Sequence, residues 1–569
     1  MNNMEAAIDI TKVKKEQPIG AVMVVGGGIG GMQASLDLAE SGFYVYMVDN
    51  SPTIGGVMAQ LDKTFPTNDC SMCIMSPKLV ECGRHLNIRI IANAEVDGVA
   101  GEPGQFTVTL TRKPRYIHLD RCTGCGECAK HCPVTAIDTY NEKMSRRAAI
   151  YIKYPQAIPK VFLIDREKCI GCGLCERVCL AKAVNYADAQ SEEKIEVGSI
   201  ILSPGYEVFD AHLRQEFGYG VYPNVVSSIE FERLLSATGP HRGHLLRPSD
   251  GTVPERIAFI QCVGSRDSNC GNDYCSSICC MYATKEAIIA REHVHFVKPT
   301  IFYMDVRAYG KGFDAYYERA KSEYGVRFIK CMVSKVREQL KTKNLLLTYL
   351  NEEGQIVEEE SELVVLSVGM VPSKGTMEMA KRIGVDLDSY GWCKTRSFEP
   401  TATSKPGIYV CGAFQGPKDI PETVSQASGA VADATAMIAQ ARGTIATKKE
   451  YPIELDVASE EPRIGVFVCH CGINIGGVVN VPGVKEYART LKNVVHVDEN
   501  LYTCSTDTQE KIKNAIKEHH LNRVIVASCS PRTHEPMFRE TLRDAGLNKY
   551  LFEMANIRDQ CSWVHMRQK

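Results

Sequence analysis

The chain has 569 residues, a formal net charge of −2 and 24% charged residues. This length predicts several domains, and the balanced charge argues against binding to nucleic acid or to an anionic membrane surface. The segment Met1–Ile19 is polar without an apolar signal core, and no run of about 18 apolar residues predicts a membrane span. With 24 cysteines, we expect a cytoplasmic, oxygen-sensitive protein whose thiols bind metal.

The first predicted element is a nucleotide-binding strand, loop and helix. The apolar strand Ala21–Val25 leads into a G-x-G-x-x-G loop, a helix over Met32–Ser41, and a second strand, Tyr44–Val48, that ends at Asp49. The glycines allow a pyrophosphate to approach the backbone, the helix N-terminus faces the phosphate, and the acid accepts hydrogen bonds from a ribose. The predicted cofactor-binding residues of this segment are Gly26, Gly28, Gly30, Gly31 and Asp49.

A C-x-x-C pair follows at Cys70 and Cys73, with Cys82 nearby. The pair could be a redox dithiol in which one thiol has a lowered pKa, it could contribute to a cluster, or it could be inert. Spacing alone does not choose among these three hypotheses. Further along the chain, three isolated cysteines are expected in the core: Cys331, Cys393 and Cys411.

Two cysteine runs share the spacing C-x2-C-x2-C-x3-C. This spacing is typical of ferredoxins with two [4Fe–4S] clusters, in which the fourth cysteine of each run binds the other cluster. The predicted ligands are therefore Cys122, Cys125, Cys128 and Cys179 for one cluster and Cys169, Cys172, Cys175 and Cys132 for the other. Leu180 replaces the usual proline after the second run, and the charged connection Tyr140–Asp165 is expected to be a surface hairpin.

A second dinucleotide site is expected to begin at the strand Arg256–Gln261, but this strand leads into Cys262–Arg266 (CVGSR), which lacks the glycine loop. Without those glycines a pyrophosphate cannot approach closely, so we expect no NAD(P)H binding of the usual kind. The cysteines at 262, 270, 275, 279 and 280 are dense enough to favour a cluster over packed core thiols, and their spacing fits no common zinc pattern.

The C-terminal segment predicts a small α/β domain after a polar linker, Thr447–Pro462. Strands are expected over Arg463–Cys469 and Arg523–Ala527, with a helix over Thr508–His519 between them. We expect four of five cysteines to hold one cluster, and the alternative is that they simply pack at strand ends. The five are Cys469, Cys471, Cys504, Cys529 and Cys561.

Several segments carry a resemblance to known families. Gly55-Gly56 and the apolar segments Ser199–Gly205, Leu363–Gly369 and Gly407–Gly412 resemble parts of two-dinucleotide-binding flavoproteins such as the thioredoxin reductase group. The cysteines at 262, 275, 279 and 280, the segments Leu61–Val80 and Gly416–Pro421, and the ferredoxin insert resemble the A subunit of heterodisulfide reductase, a flavin protein that bifurcates electrons in methanogens. Nearly the whole chain takes part in this second resemblance.

The resemblance implies the cofactors and further site residues. It implies FAD, held also by Gly55, Gly56, Gly412, Asp419, Ile420 and Gln426. It implies a non-standard [4Fe–4S] cluster at Cys262, Cys275, Cys279 and Cys280, with Cys270 as an extra. Lys285 and Glu232 fall at the offsets of the family's lysine and glutamate that approach the isoalloxazine ring, where a cation stabilises reduced flavin.

The implied function is electron transfer in a multi-subunit complex, with FAD-based bifurcation between ferredoxin and a higher-potential acceptor. The implied partners are subunits like heterodisulfide reductase B and C, hydrogenase or dehydrogenase input subunits, ferredoxin and a second copy of the chain. Two rival hypotheses are an NAD(P)H-dependent oxidoreductase like the small subunit of glutamate synthase and a non-bifurcating relay subunit. The missing second glycine loop argues against the first rival.

The expected fold class is α/β: a Rossmann-like, two-dinucleotide-binding flavoprotein fold with an inserted ferredoxin-like α+β domain and a small C-terminal α/β domain. The expected boundaries are 1–110 and 191–446 for the flavin domain, with a degenerate second nucleotide domain at 254–365, 111–190 for the insert, 447–462 for the linker and 463–569 for the last domain. That domain resembles the N-terminal domain of the heterodisulfide reductase protein, so we expect the first part of a longer tandem protein or a circularly rearranged form.

Overall fold

The computed structural model describes residues 17–565. Most of the polar segment Met1–Ile19 therefore lies outside the described residues. No helix within 17–565 is long and apolar enough to cross a membrane. The helices are α1 Ile29–Glu40, α2 Ser71–Arg84, α3 Glu127–Lys130, α4 Leu174–Arg177, α5 Ser228–Leu235, α6 Cys279–His293, α7 Phe313–Ser322, α8 Lys374–Ile383, α9 Ile420–Met437, α10 Val481–Arg489, α11 Thr506–Glu518, α12 Pro531–Asp544 and α13 Trp563–His565.

Two five-stranded parallel sheets form the flavoprotein-like part of the chain. Their central strands, such as Ala21–Val25, Ser199–Leu202 and Leu363–Val368, are buried along their whole length, as expected where both faces of a sheet are covered. Across the first sheet the strands are Ile408–Val410, Ser199–Leu202, Ala21–Val25, Tyr44–Asp49 and Ile88–Ala92. Across the second they are Val225–Ser227, Leu363–Val368, Arg256–Val263, Lys298–Tyr303 and Arg327–Lys330. The first sheet gathers strands from distant parts of the chain, as the resemblance to two-dinucleotide-binding flavoproteins implied.

Smaller antiparallel sheets accompany the two parallel ones. A three-stranded sheet packs beside each, and a two-stranded ribbon joins the segments between them. The strands of the first are Ser191–Val197, Gln105–Arg112 and Ala94–Glu102; of the second, Val333–Glu338, Leu345–Leu350 and Ile356–Ser361; of the ribbon, Glu207–Val208 and Met370–Val371. The predicted α/β fold class is confirmed.

The ferredoxin-like insert has a small core of its own, in which Cys128 and Cys175 are buried. Its strands pair as Thr135–Asp138 with Ser145–Ala148 and Ile150–Tyr151 with Leu163–Ile164. The prediction that Tyr140–Asp165 is a surface hairpin is wrong. Tyr140, Tyr154 and Ile158 are buried in the core of the first sheet, and the Tyr140 hydroxyl donates to the carbonyl of Ala59 at 2.7 Å. The aromatic and aliphatic residues of this connection outweigh its charges and fix the insert to the flavoprotein-like part.

The C-terminal domain contains a four-stranded parallel sheet and packs against α2. Across the sheet the strands are Val494–Asn500, Ile464–Cys469, Arg523–Ser528 and Phe552–Asn556. Arg84 of α2 donates to the hydroxyl of Thr541 at 3.3 Å, and Lys160 of the insert pairs with Asp507 at 2.6 Å. The segment 447–462 is also held, since Lys449 lies 2.7 Å from Glu540 of α12. The last domain is therefore packed against both preceding parts of the chain.

Candidate functional site

A cavity with a volume of about 800 Å³ lies between the two parallel sheets. One side is lined by the glycine loop and the end of the second strand, the other by α5 and α6. The segment Gly412–Thr423 contributes to the wall nearest the glycine loop. A cavity of this size, between two nucleotide-binding-type halves, has the location and dimensions of a dinucleotide site.

The glycine loop has the geometry that a pyrophosphate needs. A side chain on Gly31 would collide with the carbonyl of Gly26, so this glycine permits the close approach of helix α1 and the strand. A side chain on Gly28 would meet no atom within 4 Å, because this residue faces the cavity at the N-terminus of α1. The open backbone at Gly28 thus fits a phosphate group against the helix N-terminus.

Asp49 sits where the second strand of the first sheet ends, and it lines the cavity. Its carboxylate accepts N–H groups of Gly27 at 2.6 Å and Ser51 at 2.7 Å. Burial raises the pKa of Asp49, and these two hydrogen bonds oppose that rise. Since a carboxylate has about four lone-pair sites, Asp49 can still accept hydroxyl groups of a ribose.

The other predicted cofactor residues divide into two groups. Those lining the cavity, in addition to Gly28 and Asp49, are Gly26, Gly30, Gly56, Gly412, Asp419 and Ile420. Gly31, Gly55 and Gln426 do not line it. Gly55 lies against Tyr154, and Gln426 supports the wall by accepting the N–H of Gly412 at 2.9 Å.

Lys418 is a cavity-lining residue that the sequence did not single out as a site. Its ammonium donates to Gln415 at 2.6 Å and to Gln426 at 2.9 Å. Burial lowers the pKa of Lys418 to about 8. Its signal in the sequence was the segment Gly416–Pro421, which carried part of the family resemblance.

Lys285 and Glu232 form a buried ion pair in the cavity wall. Helix α5 begins with a capping box in which Ser227 and Glu230 exchange hydrogen bonds, and this fixes the turn that presents Glu232. The second carboxylate oxygen of Glu232 accepts the N–H of Asp62 at 2.9 Å. Burial lowers the pKa of Lys285 to about 8, although nearby carboxylates oppose this. The two residues that the resemblance placed near a flavin therefore touch each other and face the cavity.

Glu286, next to Lys285, is a second cavity residue that the sequence did not single out. It is 0% exposed, and neither carboxyl oxygen has a hydrogen-bond partner among the described residues. Burial raises the pKa of Glu286 to about 8, with Lys285 as the opposing influence. Its position beside a charged residue in a helix gave no signal that its side chain would be unpaired.

The place of the missing second glycine loop is taken by four neighbouring thiols. Burial raises the pKa of Cys262 to about 12, and the proximity of Cys280 and Cys275 adds to the rise. Cys279 is affected in the same way by Cys262, Cys280 and Cys275. Cys270 stands apart, because its thiol donates to the carboxylate of Asp267 at 3.4 Å. Mutual repulsion among the buried thiolates would fall on binding a cationic iron–sulfur core, so the four thiols fit a cluster.

The ferredoxin-like insert brings together cysteines from both runs. Cys132 of the first run and Cys169, Cys172 and Cys175 of the second line one small cavity of about 20 Å³. This is the crossed set of ligands predicted from the spacing. In the other set, Cys122 and Cys125 lie close enough to Cys128 to add to the rise that burial causes in its pKa, to about 12.

A third group of thiols lies where the C-terminal domain meets α2. Hydrogen bonds from the thiols of Cys471 and Cys70, and then the charges of Arg558 and His534, hold the pKa of Cys73 well below its usual range. The thiols that influence one another, here called the interdomain thiol group, are Cys70, Cys73, Cys469, Cys471, Cys504 and Cys529. The sequence predicted the last four of these as candidate ligands and left three alternatives open for Cys73.

The remaining cysteines do not join these groups. Cys561, on the turn Arg558–Ser562, is half-buried and makes no hydrogen bond with the interdomain thiol group. Cys82, on α2, is buried in the core of the first sheet, and Cys393 and Cys411 are also buried, whereas Cys331 is half-buried. All 24 cysteines are free thiols in the structure.

The thiol groups differ from a site for one metal ion. Within residues 17–565, no group of three or more His, Cys, Asp or Glu side chains is arranged to hold a metal ion. A [4Fe–4S] core takes one thiolate on each of its four irons, so its ligands surround the core and do not converge on one atom.

Comparison with known proteins defines the class of the chain. Residues 20–434 match the pyridine nucleotide-disulphide oxidoreductase family, so the chain belongs to that class of oxidoreductases. It is 49% identical over 444 residues to an iron–sulfur A subunit of the CoB–CoM heterodisulfide reductase of Methanopyrus kandleri, covering 77% of this chain and 66% of that protein. It is 48% identical over 411 residues to the A subunit of the H(2)/formate:CoB-CoM heterodisulfide,ferredoxin reductase of Methanococcus maripaludis, covering 72% and 62%.

Within that class the chain belongs to the family of heterodisulfide reductase A subunits, and the predicted resemblance is confirmed. The matches span just under two thirds of the length of these two relatives.

Proposed function

We propose that the chain is an electron-transfer subunit that binds FAD in the cavity between the two parallel sheets and [4Fe–4S] clusters at its thiol groups. The observation that carries the proposal is the replacement of the second glycine loop by Cys262, Cys275, Cys279 and Cys280, the last two of which begin α6, the helix that carries Lys285. This arrangement supports electron entry or exit through a cluster instead of through a bound nicotinamide.

The cavity residues would hold the two ends of FAD differently. The open backbone at Gly28 and the carboxylate of Asp49 would receive the pyrophosphate and the ribose. Lys285, paired with Glu232, would keep a balanced charge beside the isoalloxazine ring, and the apolar walls would exclude water. When bound, FAD takes up or releases two electrons together with at least one proton. It can also exchange electrons one at a time, which suits carriers that take single electrons.

Iron–sulfur sites on different sides of the cavity support more than one electron path. The thiols of Cys262–Cys280 lie just before and in the first turn of α6, the interdomain thiol group includes Cys73 of α2, and the insert is fixed beside the first sheet. We propose two clusters in the insert, one at Cys262, Cys275, Cys279 and Cys280, and one held by four thiols of the interdomain thiol group. Diverging paths of this kind are a requirement for bifurcation between ferredoxin and a higher-potential acceptor, which we propose as the activity.

The partners proposed are the redox subunits of a heterodisulfide-reductase-like complex, electron-input subunits such as a hydrogenase or dehydrogenase, ferredoxin and a second copy of the chain. Support comes from the relatives, one of which is named as part of a heterodisulfide,ferredoxin reductase. A cytoplasmic location is proposed from the many cysteines without disulfides.

The test is anaerobic determination of iron and flavin in the purified chain, combined with a redox titration followed by EPR. We expect about one FAD and about sixteen irons per chain, that is four clusters. About eight irons would restrict the clusters to the insert and overturn the site at Cys262–Cys280. Rapid bleaching of the flavin by NADH alone would instead favour the NAD(P)H-dependent oxidoreductase.

A further inference from the structure

Helix α6 carries a buried carboxyl group that the proposed electron transfer does not use. Glu286 lines the cavity, is fully buried, and has no hydrogen-bond partner for either oxygen among residues 17–565. A buried polar group without a partner is costly, and a buried charge without one is far more so. The site therefore requires a reason for an acid at this position.

The charged groups near Glu286 make their contacts elsewhere, and none of them lies at hydrogen-bond distance from its carboxyl oxygens. Lys285 contacts Glu232, whose other oxygen accepts the N–H of Asp62. The hydroxyl of Tyr282, one turn earlier on α6, donates to the carbonyl of Val368 at 2.8 Å. The titratable and charged groups around Glu286 and Lys285 are Tyr282 on α6, Glu232 on α5, and Asp62 and Lys63 on the segment before α2; Lys63 pairs with Glu292 at 3.1 Å.

The balance of charge in this wall decides the state of Glu286. One buried cation, Lys285, is neutralised by one buried carboxylate, Glu232. A second carboxylate would leave an unpaired negative charge without water, which costs several kcal/mol. A protonated Glu286 avoids this penalty, and burial accordingly raises its pKa to about 8. Near neutral pH the group thus holds a proton that it can release at small cost, as a catalytic acid must.

We propose that Glu286 is the proton donor of the cavity: it holds a proton on its carboxyl group in the resting protein and supplies the proton that accompanies two-electron reduction there. This role rests on the proposed flavin function. The O–H bond of Glu286 breaks, the carboxylate remains, and solvent then returns a proton to it. The electrons come from an external reductant, so Glu286 changes its protonation and not its oxidation state.

The first test is the infrared spectrum of the full chain, purified anaerobically and measured with and without added FAD. We expect a C=O band of a protonated carboxyl group at pH 7 that shifts in D₂O and disappears as the pH rises through about 8. Glu286→Gln removes this band, whereas the control variant Glu553→Gln, at an exposed position, retains it. Absence of the band in the wild-type chain, or its persistence in Glu286→Gln, overturns the proposal whether or not FAD binds.

The second test follows proton uptake with an indicator dye while dithionite reduces bound FAD in a stopped-flow instrument. In the wild-type chain we expect uptake to accompany bleaching of the flavin. In Glu286→Gln we expect uptake to lag by roughly tenfold or more, and Glu286→Asp to restore part of the rate. Equal timing in wild type and Glu286→Gln overturns the donor role. Failure to bind FAD would refute the proposed function, and the infrared band would still decide the state of Glu286.

Discussion

Arg558 donates a hydrogen bond from Nη1 to the Sγ of Cys73, 2.8 Å away, across the contact between the C-terminal domain and α2. Arg558 is only 4% exposed. A buried guanidinium stabilises a thiolate, because it neutralises a negative charge that burial would otherwise penalise. The contact thus favours the form of Cys73 that binds iron and links the interdomain thiol group to the flavoprotein-like part of the chain.

Cys73 is expected to be a cluster ligand, although it lies outside the C-terminal domain. Cys73→Ala should lower the iron content by about four atoms per chain and leave the FAD content unchanged. The physical reason is that its thiol shares hydrogen bonds with Cys471 and is the point where α2 meets the other thiols. Anaerobic iron and flavin determination, with EPR of the reduced protein, measures the change.

The matched control for Cys73 is Cys561→Ala, because Cys561 makes no hydrogen bond with the interdomain thiol group. The variant should keep the full iron content. Loss of four irons in Cys561→Ala with none lost in Cys73→Ala would contradict the assignment and support the set of ligands expected from the C-terminal sequence alone.

Features that depend on neighbours along the chain were predictable from the sequence. The strand Ala21–Val25, its glycine loop and the cysteine-rich insert each follow from residues close together in the sequence. The structure contains the strand, the loop with its helix, and an insert with its own small core. Strand bounds shift only slightly, as in Arg256–Val263 against the predicted Arg256–Gln261.

Features that depend on packing between distant segments were not predictable in this way. No pattern near Cys73 indicates that a domain about 400 residues later will bring Cys471 and Arg558 to it. The protonation state of Glu286 likewise depends on which carboxylate pairs with Lys285. In the folded chain that carboxylate is Glu232, which α5 contributes. The packing of Tyr140–Asp165 against the first sheet was unpredictable for the same reason. The charged residues of this segment obscure its apolar residues in the sequence pattern.

Gly28 is expected to control FAD affinity without controlling the fold. A side chain here meets no neighbour within 4 Å and would occupy the space in front of the N-terminus of α1. Gly28→Val should therefore weaken FAD binding at least tenfold, about 1.4 kcal/mol, measured by fluorescence titration of flavin-free protein. Gly98→Val is the control, because that position is also open but does not line the cavity. Unchanged affinity in Gly28→Val would contradict the placement of the phosphate.

The proton on Glu286 should make stability depend on pH. Its pKa is raised in the folded chain to about 8, so between its ordinary value of 4.5 and 8 the folded state binds more protons than the unfolded state. Stability from this group is therefore complete below about pH 4.5 and is lost as the pH rises through 8. Glu286→Gln lacks this loss, so its unfolding free energy relative to wild type should increase across this window by an amount on the order of a few kcal/mol.

Urea unfolding at several pH values measures this difference, and the exposed Glu553→Gln provides the control. Burial lowers the pKa of Lys285 to about 8, so the stability that this group contributes is lost as the pH falls through 8, opposite in sign to Glu286. Lys285 is present in both proteins, so this contribution does not distinguish them. A stability difference between wild type and Glu286→Gln that stays constant from pH 5 to 8 would show that Glu286 is ionised in the folded chain.

Arg266 should tune the cluster at Cys262–Cys280 without binding it. Its guanidinium pairs with Asp305 at 2.6 Å, and its charge opposes the rise that burial causes in the pKa of Cys262. Reduction adds negative charge to a cluster, so removing a nearby cation makes reduction harder. Arg266→Gln should lower the cluster's reduction potential in an EPR-monitored titration and leave the iron content unchanged. Lys298→Gln, at an exposed position on the neighbouring strand, should have no effect. An unchanged or higher potential in Arg266→Gln would mean that the cluster is held elsewhere or that Asp305 dominates its surroundings.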